Sequence, residues 1–153
     1  MTGSQNEKQF LDAHNNYRAA HGAQNLTYNG DLNSAAQKWA DHLLQSKTME
    51  HSNIEDGENI YYSYNSQKVT LQGKSAVDSW YSEIKDYDFT RPGFQPKTGH
   101  FTQVVWKDTK ELGVGVATDG HTVFVVGQYR PGGNITNAGY FEKNDELLPP
   151  GSP

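Results

Sequence analysis

Hydrophobic residues recur every three to four positions in four stretches of the first two-thirds of the chain, then alternate with a period of two. The spacing predicts a first helix over 7–21, with Phe10, Leu11, His14 and Tyr17 on one face. Asn6 is its N-cap, with Gln9 three residues on, and Gly22 its stop. A second helix is predicted over 31–47, buried through Leu32, Ala35, Ala36, Trp39, Leu43 and Leu44. A third covers 74–86 with Ala76, Val77, Trp80, Tyr81 and Ile84 inward. The fourth is short and opens at Gly99-His100. As a helix it puts His100, Gln103 and Val104 on one face and Phe101 and Val105 on the next. A polar stripe beside an apolar one lines a cleft while anchoring the helix in a core.

The strand signals come later. Leu112-Gly113-Val114-Gly115-Val116-Ala117 alternates, Asp119-Gly120 is a two-residue turn signal, and Thr122-Val123-Phe124-Val125-Val126-Gly127-Gln128-Tyr129 returns, so a hairpin is predicted. Glu58-Asn59-Ile60-Tyr61-Tyr62 is a further candidate strand. Segments 91–96 and 130–134 read as loops, and 149–153 as an extended or disordered tail. No repeat or linker divides the chain. Helices followed by a hairpin indicate one α+β domain over 1–148, an antiparallel sheet covered by helices.

Composition narrows the possible functions. The length of 153 residues fits one domain, and three Trp, nine Tyr and six Phe supply large core pieces. Fifteen Gly and six Pro indicate many turns around a modest core. The net charge of −5, without a Lys/Arg cluster, argues against nucleic-acid binding and against electrostatic docking on anionic lipid. The absence of cysteine excludes disulfides and thiolate metal sites and leans toward a reducing, intracellular compartment. A secreted chain whose signal peptide has been removed is the alternative. No apolar run is long enough to span a membrane.

Six histidines are the main source of candidate chemistry. His14 falls on the apolar stripe of the first helix and reads as a core residue. His21 sits at a helix end, where an imidazolium complements the dipole. His42 lies beside Asp41 on a solvated face, and His121 in the hairpin turn. His51 and His100 differ because Glu58 and Glu83 offer them partners. Two imidazoles and two carboxylates suffice for an open divalent-cation site completed by water, or for general acid–base work. Spacing alone does not show that they converge.

Ordered motifs run along nearly the whole chain: Ala13-His14-Asn15-Asn16-Tyr17-Arg18, His51-Ser52, Gly57-Glu58-Asn59, Trp80-Tyr81-Ser82-Glu83, Tyr87-Asp88-Phe89 and Pro92-Gly93-Phe94. Gly99-His100-Phe101-Thr102-Gln103-Val104-Val105-Trp106 and Gln128-Tyr129-Arg130-Pro131-Gly132-Gly133-Asn134 complete the set. In these motifs the chain resembles the CAP superfamily of cysteine-rich secretory proteins, antigen 5 and plant pathogenesis-related 1 proteins, and most of all its cysteine-free intracellular branch. The resemblance implies a three-layer α-β-α sandwich around a central antiparallel sheet. It also implies a cleft lined by His51, Glu58, Glu83 and His100. The histidines would bind zinc or another divalent cation, and Glu58 and Glu83 would hold ligand water or orient the imidazoles.

The resemblance further implies binding of a sterol or fatty acid or peripheral membrane association, for which Tyr61, Tyr62 and Tyr64 form a candidate aromatic lip. The bland reading makes these tyrosines strand residues half-covered by helices. This acidic chain starts Met1-Thr2 and lacks the glycine used for N-acylation in that branch, so a membrane anchor is not carried over. A binding module, with a homodimer as one form, is the leading reading. The alternative is a weak serine hydrolase built on Ser63, His51 and Glu58, in the family sometimes across a dimer. It lacks a Gly-x-Ser-x-Gly elbow. A third reading makes the polar cleft a purely structural network.

Overall fold

A computed structural model of the chain describes residues 2–52, 56–66, 73–87 and 98–134. The tail 149–153 and the loop 91–96 lie outside the described residues. Helix α1 spans Thr2–Ala20 and so runs straight through Asn6, which is not its cap. Extending a helix adds one hydrogen bond per residue fixed, so a proline-free lead such as 2–6 joins the turn behind it. The predicted stop is in place. Gly22 takes a left-handed φ of 74°, and Ala23 N–H reaches back to the Arg18 carbonyl at 3.0 Å.

Strand β1, Thr27–Tyr28, is too short to carry a periodic signal and was not predicted from the sequence. Helix α2, Gly30–Ser46, is capped by the Asn29 side chain, which accepts from Asp31 N and Leu32 N. Its buried stripe is Leu32, Ala36, Ala40 and Leu43. Trp39 and Leu44 are half-buried, and Ala35 is exposed, contrary to the predicted face. Strand β2 is Gly57–Tyr64, helix α3 Gly73–Tyr81, and a 3-10 segment covers Ser82–Asp86. Helix α4, Gly99–Val104, precedes β3, Glu111–Thr118, and β4, Thr122–Arg130.

The strands form one sheet in the order β1-β3-β4-β2. The three long strands are antiparallel, as expected, and β1 adds a parallel pair, Thr27 with Glu111 and Tyr28 with Leu112. Ala36, Ala40 and Leu43 of α2 pack with Ile60, Ala117, Phe124 and Val126 on one face. Helices α1, α3 and α4 cover the other face through Phe10, Ala13, Val77, Trp80, Phe101 and Val104. The architecture is the three-layer α-β-α sandwich.

Helix α2 lies unusually close to β3. A Cβ on Gly113 would stand 2.4 Å from the Leu32 carbonyl carbon, and one on Gly115 2.3 Å from the Ala36 oxygen. Beyond its pairing with β1, the outer edge of β3 is closed by side chains of α2. Asn33 Oδ1 accepts from Val114 N at 2.8 Å, and the Gln37 amide both accepts from Val116 N and donates to Val116 O. Two amides one helical turn apart thus stand in for a neighbouring strand. Among the described residues no helix is long and apolar enough to cross a membrane.

Candidate cation site

Helix α4 is pinned at both ends, and that fixes His100. At its start the Glu83 carboxylate, from the 3-10 segment, accepts from His100 N at 2.9 Å and Phe101 N at 3.0 Å through one oxygen. Its other oxygen accepts His100 Nδ1–H at 2.8 Å. A carboxylate at a helix start also complements the dipole. At the far end the buried Arg18 of α1 donates to the carbonyls of Val104, Trp106, Thr109 and, back on its own segment, Gln24. A five-donor guanidinium is the group that reaches several carbonyls at once.

His51 follows α2 and pairs with Glu58, the second residue of β2. Its Nδ1 donates to Glu58 Oε1 at 2.9 Å. Ser52 N donates to the same oxygen at 2.8 Å, while Oε2 accepts from Gln128 Nε2 at 3.0 Å and from the Ser52 hydroxyl. The four lone-pair positions of this carboxylate are therefore all used. Burial works to raise the Glu58 pKa, but the hydrogen bonds from His51, Ser52 and Gln128 outweigh it and hold the carboxyl below its usual range. The hydrogen bond to Glu58 in turn raises the His51 pKa. The imidazole is 64% exposed over a carboxylate only 4% exposed. His100 and Glu83 are intermediate, at 36% and 23%.

The two pairs are formed, but strand alternation keeps their carboxylates apart. Glu58 points with Gln128 to one face of β2, and the next residue, Asn59, points to the other, where its amide donates to the His100 carbonyl at 3.1 Å. Among the described residues no group of three or more His, Cys, Asp or Glu side chains is gathered as a metal cage. In each pair the ring bonds its carboxylate through Nδ1, with Nε2 on the opposite side of the ring.

The other sequence-derived candidates fall as follows. Gln103 does not line a cleft with His100. It is buried, with Oε1 accepting from Gly133 N at 2.9 Å and Nε2 donating to Thr109 Oγ1 at 3.3 Å, so it anchors the turn after β4. His21 is buried against the Tyr81 hydroxyl at 2.8 Å instead of facing solvent as an end-of-helix charge. His14 is a core residue, His42 is exposed beside Glu50, and His121 sits in the hairpin turn. Ser63 pairs with Val123, five residues along β2 from Glu58, about 16 Å of strand. Within one chain Ser63, His51 and Glu58 do not form a triad. Tyr62 and Tyr64 share an exposed face, whereas Tyr61 packs half-buried against the core. Ser52, Gln128 and Asn59 were not singled out from the sequence. Their only signal is adjacency to His51, Tyr129 and Glu58 in the motifs.

Comparisons with known proteins agree with this fold. A model of the cysteine-rich secretory protein family, CAP, matches residues 11–129. The chain is 44% identical to Golgi-associated plant pathogenesis-related protein 1 of Homo sapiens, over 97% of this chain and 98% of that one. It is 35% identical to protein PRY2 of Saccharomyces cerevisiae over 92% of its own length, and spans 40% of that longer protein. The solved structure of BmVAL-1 matches with a TM-score of 0.72 at 24% identity, covering 86% of this chain and 79% of that one. NaASP2, solved with Zn2+, matches with a TM-score of 0.69 at 24% identity, covering 86% and 82%. With no cysteine at all, the chain nevertheless belongs to the CAP, or cysteine-rich secretory protein, family.

Proposed function

We propose that this protein is a non-catalytic binding protein whose His51 and His100 hold a divalent cation such as zinc through Nε2. One observation supports this reading above the others. Both imidazoles donate Nδ1–H to a carboxylate, which sets the neutral tautomer with its Nε2 lone pair outward, the arrangement found behind metal-ligating histidines. Glu58, with every lone pair engaged, orients His51 and does not ligate. Glu83 does the same for His100.

Two imidazoles without a third protein ligand make an open, water-completed site, weaker than a closed structural one. When bound, the cation supplies positive charge and exchangeable positions for an oxygen-donor ligand. The Zn2+ in the structure of the related NaASP2 favours zinc as the first ion to try. The exposed Tyr62 and Tyr64 face is the corresponding surface for a sterol, a fatty acid, a membrane or a second copy. The likeness to its human Golgi-associated relative supports an intracellular or Golgi-peripheral location. The test is titration calorimetry with zinc. The wild type binds, and His51→Ala and His100→Ala each lose most of the affinity. Equal binding by wild type and His100→Ala would sink the reading.

A further inference from the structure

A buried polar chain runs from His14 through Tyr129 and Asn59 to the His100 carbonyl. His14 of α1 and Tyr129 of β4 are both 0% exposed, and Asn59 of β2 is 2% exposed. The donors and acceptors in this chain admit one direction. The Phe10 carbonyl only accepts, so His14 Nδ1 carries the proton in their 2.9 Å bond, and Nε2 accepts from the Tyr129 hydroxyl at 2.7 Å. With its proton spent, the Tyr129 oxygen accepts from Asn59 Nδ2 at 3.2 Å. The second hydrogen of the same amide goes to the His100 carbonyl at 3.1 Å. Burial lowers the His14 pKa to about 3, which keeps the ring a neutral acceptor. Trp80 fills the space alongside, with its ring 6.2 Å from that of His14 and 6.3 Å from that of His100, to which it is parallel within 8°.

We infer that Asn59 is a positioning residue for His100: its amide, oriented by Tyr129 and His14, fixes the first turn of α4 and so the place of the His100 Nε2 atom. The inference rests on the proposed cation site, since the placement matters there. Glu83 sets the rotation of the imidazole, and Asn59 sets where the backbone that bears it stands against the sheet. A ligand-bearing residue needs both, because an error of a few tenths of an ångström weakens coordination.

Zinc calorimetry on the full chain tests this. Asn59→Ala is expected to weaken zinc binding about ten-fold or more in the wild-type background. In a His100→Ala background it is expected to change nothing further, because the ligand it positions is already gone. No loss in the first background, or an equal loss in both, overturns the inference. Tyr129→Phe removes the hydroxyl that orients the amide and is expected to weaken zinc in the same way, which keeps the test open if Asn59→Ala does not fold. If the wild type binds no zinc, the cation reading fails and the inference is read from metal-free NMR instead. There the ring signals of His100 move in Asn59→Ala and Tyr129→Phe while those of His51 stay. Unmoved His100 signals overturn it.

Discussion

Glu83 holds His100 twice, through the ring Nδ1 at 2.8 Å and through the backbone N–H at 2.9 Å. One side chain therefore sets both the start of α4 and the tautomer of the histidine that opens it. Glu83→Ala is predicted to cost about 1–3 kcal/mol, the range for amides left without an acceptor. A lower urea midpoint with an unchanged slope is the expected result, and an unchanged midpoint would contradict it.

Arg18 is the larger structural commitment. Replacing it with leucine leaves buried carbonyls of Val104, Trp106 and Thr109 without these donors, and a loss of about 3 kcal/mol or more is predicted. Arg18→Lys is also predicted to fail, because an ammonium cannot reproduce a planar fork reaching carbonyls on both sides of the turn. Chemical denaturation of both variants checks this, and near-wild-type stability of the lysine variant would refute it.

The close approach of α2 and β3 makes opposite predictions for two glycines. In Gly115→Ala the new Cβ meets Ala36 backbone at 2.3 Å, and a loss of about 1–3 kcal/mol is expected. Gly30, at the first residue of α2, has open space around its Cβ direction, so Gly30→Ala is expected to stabilise by up to about 1 kcal/mol. Thermal midpoints moving in the same direction for both would contradict the packing described.

His14 predicts a specific acid sensitivity. Burial lowers its folded pKa to about 3 from an ordinary histidine value of 6.5, so the unfolded chain binds the extra proton first. Stability from this residue is full above about pH 6.5 and falls below it by at most about 1.4 kcal/mol per pH unit toward pH 3. His14→Gln is predicted to be less stable at neutral pH but to show a shallower fall between about pH 6 and 4 on the same series of urea titrations. An equally steep fall in the variant would assign the sensitivity elsewhere.

Proton competition at His51 has the opposite sign of shift. The Glu58 hydrogen bond raises its pKa, so the imidazolium persists above the ordinary histidine range, and a cation must displace that proton. Zinc affinity is therefore predicted to keep rising with pH beyond about 6.5. Glu58→Gln should shift the pH midpoint downward, and an unchanged midpoint would argue that Glu58 does not govern His51.

Much of the architecture was legible in local periodicity. Phe10, Trp80 and the alternating Leu112-Gly113-Val114 stretch all face where their spacing put them, and the hairpin turns at Asp119-Gly120-His121. What periodicity missed depends on partners distant in the chain. Asn33 and Gln37 look like ordinary polar helix positions until β3 arrives beside them, and nothing local marks Arg18 as the donor to the Val104, Trp106 and Thr109 carbonyls. Of the site, the family resemblance named His51, Glu58, Glu83 and His100 as a set, and which carboxylate meets which imidazole came from the structure. The division of the pairs by the Glu58–Asn59 alternation did not follow, because it depends on which face β2 turns to α2.

Anomalous diffraction at the zinc edge, on crystals soaked with zinc, locates the ion itself. One peak is expected about 2.0–2.1 Å from Nε2 of both His51 and His100, with Glu58 and Glu83 still bonded to the opposite ring nitrogens. A peak bound to only one of the two histidines, or to a carboxylate oxygen of Glu58, would contradict it.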